Sequence, residues 1–146
     1  MLAPQRQNHD YYILVTGMIL QHFFGCSNAQ FPTDPQPLSL HVLDNEFGGN
    51  AANMPCRLYK FFNESFQLIS SQNTNEDGRV LEFLPVAFFE PGVYRMWCDV
   101  KDYYTGRNLT TFFPALQITF DLEDPRKDYH IALLLSPYGF VTYRGI

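Results

Sequence analysis

Tyr129-His-Ile-Ala-Leu-Leu-Leu-Ser136, then Pro137-Tyr138-Gly139, then Phe140-Val-Thr-Tyr143: this run near the C-terminus decides the architecture. Two short apolar segments joined by a Pro/Gly-containing reversal read as a pair of strands. Successive side chains of a strand point to opposite faces, so Tyr129, Ile131, Leu133 and Leu135 share one face while His130, Ala132, Leu134 and Ser136 share the other. The same alternation recurs at Leu38 to Leu43, where Leu38, Leu40 and Val42 oppose Ser39, His41 and Leu43. In both strands the clearly apolar face is the one to bury, which leaves a histidine looking outward from each.

Working outward from these two strands, Asn45 to Asn53 reads as a loop, and Pro55 to Phe62 and Phe66 to Ser71 as strands joined through Asn63 and Glu64. Asn73-Thr-Asn-Glu-Asp77-Gly78-Arg79 is a strong turn signal, because Asp-Gly supplies the backbone angles of a tight reversal. Val80 to Leu84 reads as a further short strand, and Pro91-Gly92 opens one from Val93 to Val100. Lys101 to Arg107 holds one short helix, and Ala115 to Leu122 is another strand. Some eight short strands punctuated by turns predict an all-β fold of two packed antiparallel sheets over residues 37–146.

Composition agrees. The 146 residues are 46% hydrophobic and 16% aromatic but only 17% charged, enough for one core and too few for two. The net charge of −5 is spread along the chain without a basic run, which argues against a nucleic-acid partner. Cys26, Cys56 and Cys98 lack the close spacing of a zinc or redox motif, and Cys56 and Cys98 read as buried small hydrophobes. No Gly-rich phosphate loop, metal-binding HExxH helix or GxSxG elbow is present.

Residues 1–29 differ from the rest. Tyr11 to Gly25 is a mostly apolar run followed by Ser27-Asn28-Ala29, a pattern that reads as a secretory signal peptide, with 30–36 as a Pro-rich linker. The run is too short for a comfortable membrane span. A secretory route is favoured, with peroxisome and cytoplasm as alternatives, and Asn63-Glu-Ser65 and Asn108-Leu-Thr110 would then be glycosylation acceptors.

Imidazole titrates near neutrality, so His41 and His130, if they converge, can activate a water and return its proton. The pattern alone also fits two ordinary surface histidines. Arg79, directly after the Asp77-Gly78 turn, stands where a guanidinium could clamp an anionic ring or a developing oxyanion, or simply pair with a carboxylate. Tyr143 and Arg144 lie in a short terminal tail able to fold over a neighbouring site.

At these residues the chain resembles the 5-hydroxyisourate hydrolases, the enzyme branch of the transthyretin superfamily. The likeness rests on Leu40-His-Val-Leu-Asp44, Thr74-Asn-Glu-Asp-Gly-Arg79, Phe112-Phe-Pro114, Tyr129-His-Ile131, Leu134-Leu-Ser-Pro-Tyr-Gly139 and Tyr143-Arg-Gly145. It implies an eight-stranded transthyretin-like sandwich with one short helix, a homotetramer with sites in a channel between dimers, and a small purinoid substrate, with neither a metal nor an organic cofactor. It further implies that His41, Arg79, His130 and Tyr143 build the site. In that scheme the histidines share water activation and proton return, with either as the base; Arg79 binds the anionic ring, and Tyr143 orients ring or water. Three departures stand out: Ile146 where the hydrolases usually end in Ser or Thr, Ala132 where they commonly have proline, and the N-terminal extension. A transthyretin-like carrier of a small aromatic ligand, or a secreted interaction domain without activity, is the alternative. The enzyme is favoured because the carriers have lysine at the position of His41 and lack the Tyr-Arg-Gly ending.

Overall fold

The computed structural model describes residues 37–145. The proposed signal peptide and linker, and Ile146, lie outside the described residues.

Among the described residues nine strands form two facing sheets, with one α-helix beside them. The strands are β1 (Leu38–Asp44), β2 (Gly49–Asn50), β3 (Pro55–Phe62), β4 (Ser65–Asn73), β5 (Arg79–Val80), β6 (Gly92–Cys98), β7 (Leu116–Leu122), β8 (Tyr129–Ser136) and β9 (Gly139–Gly145). The helix, α1, spans Val100–Thr105. One sheet runs β2-β1-β8-β9 with β5 also on β1; the other runs β4-β3-β6-β7. The all-β transthyretin-like sandwich is as expected, with two of the nine strands only two residues long. One pairing departs from the antiparallel expectation: β1 and β8 are parallel, Leu38 opposite Tyr129 through Asp44 opposite Leu135. Their Leu/Val/Ile-rich inner faces suit a pair lodged in the middle of a sheet.

The core forms where the inner faces meet. Leu38, Leu40 and Val42 from β1 and Leu133 and Leu135 from β8 are fully buried against Cys56, Leu58, Tyr94 and Met96 of the other sheet. Each such aliphatic side chain contributes about 1.5–3 kcal/mol when fully buried. Cys56 and Cys98 are buried free thiols facing each other across β3 and β6, Sγ to Sγ 3.4 Å. The Cys56 contact and burial both push the Cys98 thiol's pKa well up, which suits a packing role over a reactive one.

Local chemistry sets the boundaries. β6 stops at Cys98, before the expected Val100, because Asp99 caps α1 by accepting the Asp102 backbone N–H at 2.9 Å. Asn63 and Glu64 both adopt positive φ, 48° and 62°, closing the β3–β4 hairpin in two residues. The expected Val80–Leu84 strand shrinks to Arg79–Val80. Beyond it the chain is held by side chains: Ser70 Oγ donates to the Phe83 carbonyl at 2.7 Å and Gln72 Nε2 to the Glu82 carbonyl at 2.7 Å. Pro85, with no N–H to offer a ladder, then leads into a 3-10 turn at Val86–Phe88.

Candidate functional site

Register assembles the site. On β1, Ser39 and His41 point away from the core, and the parallel pairing sets Ser39 beside His130 and His41 beside Ala132. β5 pairs on the other side of β1 with Arg79 opposite His41. β9 pairs antiparallel with β8, so Tyr143 lies opposite Ala132 and Gly145 opposite His130. Directly opposed residues share a face. Four side chains scattered over 103 positions of sequence, His41, Arg79, His130 and Tyr143, therefore meet on one outward face.

The two imidazoles stand 6.3 Å apart, centroid to centroid, tilted by 46°. Ser39 Oγ lies 2.9 Å from His130 Nδ1, so the orientation of that ring is held by a hydroxyl two residues before His41. Gly145 makes room for the ring: a Cβ there would come within 2.6 Å of His130 Cδ2.

The turn carrying Arg79 is docked onto β1 as firmly as a strand. The Asn75 side chain accepts the backbone N–H groups of Asp77 (3.0 Å) and Arg79 (2.9 Å), and the Val42 N–H donates to the Gly78 carbonyl at 2.8 Å. Gly78 has φ +71°, and a Cβ there would lie 2.4 Å from the Val42 carbonyl oxygen. Only glycine fits. The approach delivers Arg79 next to His41.

Both histidines have pKa values lowered from the ordinary 6.5. For His41 the causes are partial burial, then the Arg79 guanidinium, then His130; contacts to the Asn50 side chain and the Asp77 backbone pull the other way. For His130 they are partial burial and then Arg79. Near neutral pH both rings are thus neutral and able to accept a proton, beside a fixed positive charge.

A buried carboxylate anchors the far end of β1. Asp44 is 1% exposed and accepts hydrogen bonds from Tyr103 Oη (2.8 Å), Tyr104 Oη (3.2 Å) and the Glu46 backbone N–H (2.8 Å). Tyr103 and Tyr104 come from α1, so the helix is tied to the strand that bears His41.

Of the residues singled out from sequence, His41, Arg79 and His130 form one cluster. Tyr143 shares their face and is 55% exposed, without a side-chain hydrogen bond to either histidine. Ser39, Asn50 and Gly145 were not assigned roles from sequence. Ser39 had been placed on the face of His41, but only the parallel register brings it to His130. Among the described residues no group of three His, Cys, Asp or Glu side chains is placed to hold a metal ion.

The histidine pair stands on an open sheet face. A cleft of about 190 Å³ opens beside β7 and β9, lined by residues including Ile118, Phe120, Tyr129, Tyr143 and Arg144. Its lining contains neither histidine.

A model described as the HIUase/Transthyretin family matches residues 38–145. A probable 5-hydroxyisourate hydrolase of Caenorhabditis elegans is 34% identical over 119 residues, 82% of this chain and 88% of that one. The 5-hydroxyisourate hydrolase of Mus musculus is 31% identical over 115 residues, 77% of this chain and 98% of that one. Among solved structures, transthyretin from Sparus aurata superposes with a TM-score of 0.73 at 27% identity, covering 75% of this chain and 97% of that one.

Proposed function

The chain belongs to the HIUase/Transthyretin family, and on that premise we propose that it hydrolyses 5-hydroxyisourate to the ring-opened ureidoimidazoline carboxylate of urate degradation. The observation that carries the reading is the pair of neutral imidazoles 6.3 Å apart on one face, with Arg79 against His41. That spacing is of the right order for one oxygen to lie within hydrogen-bond reach of both rings.

In the proposed reaction one imidazole takes a proton from water as the oxygen adds to the ring carbonyl carbon. The carbonyl electron pair moves onto oxygen, and the Arg79 guanidinium stabilises that oxyanion and the anionic ring. When the tetrahedral centre collapses, the ring C–N bond breaks and the imidazolium returns its proton to the departing nitrogen. Tyr143 orients ring or water. His41, His130 and Arg79 are the catalytic set; His41, Arg79 and Tyr143 contact the substrate.

We further propose a homotetramer in which a second subunit covers the open face and turns it into a channel. Support comes from the face itself, which carries the exposed apolar side chains Val141 and Tyr143 beside the site, and from the β7 and β9 edges, which have no second strand partner among the described residues.

The test is the ultraviolet decay of 5-hydroxyisourate, generated from urate with urate oxidase, with and without the protein. The substrate decays unaided, so acceleration is the quantity read. Strong acceleration that disappears in His41→Ala, with the oligomer preserved, is expected. A folded protein that gives no acceleration would overturn the hydrolase and favour a carrier.

A further inference from the structure

The outward face of the second sheet carries a cavity that the proposed reaction does not use. β3 and β6 pair so that Arg57 stands opposite Trp97 and Tyr59 opposite Arg95. Arg57 and Arg95 are therefore diagonal neighbours, roughly 7–8 Å apart across the pair. Between them opens a shallow cavity of about 330 Å³ lined by Arg57, Tyr59, Phe66, Arg95, Trp97 and Gln117.

Each guanidinium lies on an aromatic ring. Arg57 Cζ is 4.5 Å from the Trp97 centroid and Arg95 Cζ is 3.6 Å from that of Phe66. Stacking restrains the side chains and leaves their in-plane N–H donors free to turn toward a ligand. Those donors are little used: Arg95 Nε makes one long contact of 3.4 Å to Thr119 Oγ1, and Arg57 makes no side-chain hydrogen bond among the described residues. The ion pairs among those residues, Lys60 with Glu90 and Arg126 with Asp124, lie elsewhere. Two cations have thus been brought together, on a chain of net charge −5, without an ion-paired carboxylate among the described residues to relieve their repulsion.

We propose that this cavity binds a planar aromatic or heteroaromatic carboxylate. The carboxylate lies between the two guanidiniums, which can each donate to it, and the ring packs on Tyr59 and Trp97. Charge alone would call for no aromatic floor, and an uncharged aromatic would leave two guanidiniums facing each other without a counter-ion. The site is on the sheet opposite to His41 and His130, so it is independent of the hydrolase reading.

Trp97 is the chain's only tryptophan, and its fluorescence reports on the cavity directly. The full chain, Arg57→Gln and Arg95→Gln would each be titrated with benzoate, benzamide and inorganic phosphate, with circular dichroism confirming the fold of both variants. The expected result is a saturable response to benzoate, with Kd raised about tenfold or more in each variant and no response to benzamide. Absence of a saturable response, unchanged benzoate binding in both variants, or equal binding of benzamide would overturn the proposal. Phosphate displacing benzoate with equal affinity would also overturn it, reducing the cavity to a bare anion patch.

Discussion

Gly145 lies beneath the imidazole of His130, close enough that a Cβ would approach Cδ2 to 2.6 Å. The contact is side chain against side chain, so the ring can swing away at little cost to the fold but not without leaving its place beside Ser39. Gly145→Ala should therefore lower kcat/KM by about 10- to 100-fold, as displacement of a catalytic group does, while thermal unfolding shifts by only a few degrees. A matched loss of stability and activity would show that Gly145 serves the strand and not the histidine.

Ser39 acts on His130 through one hydrogen bond of 2.9 Å. Losing a bond worth about 1 kcal/mol should cost Ser39→Ala roughly five- to tenfold in kcat/KM, with Ser39→Thr restoring most of it. The discriminating readout is the pH profile. Ser39→Ala should move its acid limb, whereas a purely structural role would scale the profile without moving it.

Arg79 is the second-largest cause holding down the pKa of both histidines. A base that must be neutral loses activity as pH falls through its native pKa, so the acid limb of kcat/KM should lie below 6.5. Replacing the guanidinium in Arg79→Gln should move that limb upward toward 6.5, apart from any loss of substrate binding. A limb that stays put would remove Arg79 as an electrostatic neighbour of the bases.

The same shifts bear on stability, with the sign fixed by linkage. In the window between the lowered native pKa values and 6.5, the unfolded chain binds more protons than the folded one, so stability rises with pH there and falls on acidification. Urea denaturation across that window should show a shallower pH slope in His41→Gln than in the parent protein. Equal slopes would mean that the His41 ring titrates alike in both states.

Asp44 offers a stability test away from the chemistry. Asp44→Ala would leave the Tyr103 and Tyr104 hydroxyls buried without their acceptor, at about 1–3 kcal/mol each. A loss of roughly 2–5 kcal/mol in urea denaturation is expected, with Asp44→Asn milder because an amide oxygen still accepts. A change below about 1 kcal/mol would mean that water enters and satisfies the hydroxyls.

Much of this was legible in the sequence, for local reasons. The faces of β1 and β8 follow from side-chain alternation, and burial matches it residue by residue in β1 from Leu38 to Asp44, while in β8 Ala132 on the outward face is also buried. The Asp77-Gly78 turn announces itself because few residues tolerate a φ of +71°. Val80–Leu84 reads as a strand yet forms one only at Arg79–Val80, for a complementary reason. An apolar run looks like a strand, but here the Glu82 and Phe83 carbonyls are taken by the Gln72 and Ser70 side chains, which come from β4, and the adjacent Pro85 has no N–H for a ladder.

Periodicity and turn chemistry act within a few residues, so the sequence by itself determined which segments are strands, which faces are buried and that two histidines look outward. The family motifs added His41, Arg79, His130 and Tyr143 as a set of names without their distances. Only the tertiary structure decided that β1 and β8 run parallel in a register that sets Ser39 on His130, and that β5 pairs with β1 so as to set Arg79 on His41. Register is chosen by matching apolar faces across the whole sandwich, because a one-residue slip would turn every inward side chain out. That choice is collective, and no short stretch of sequence contains it.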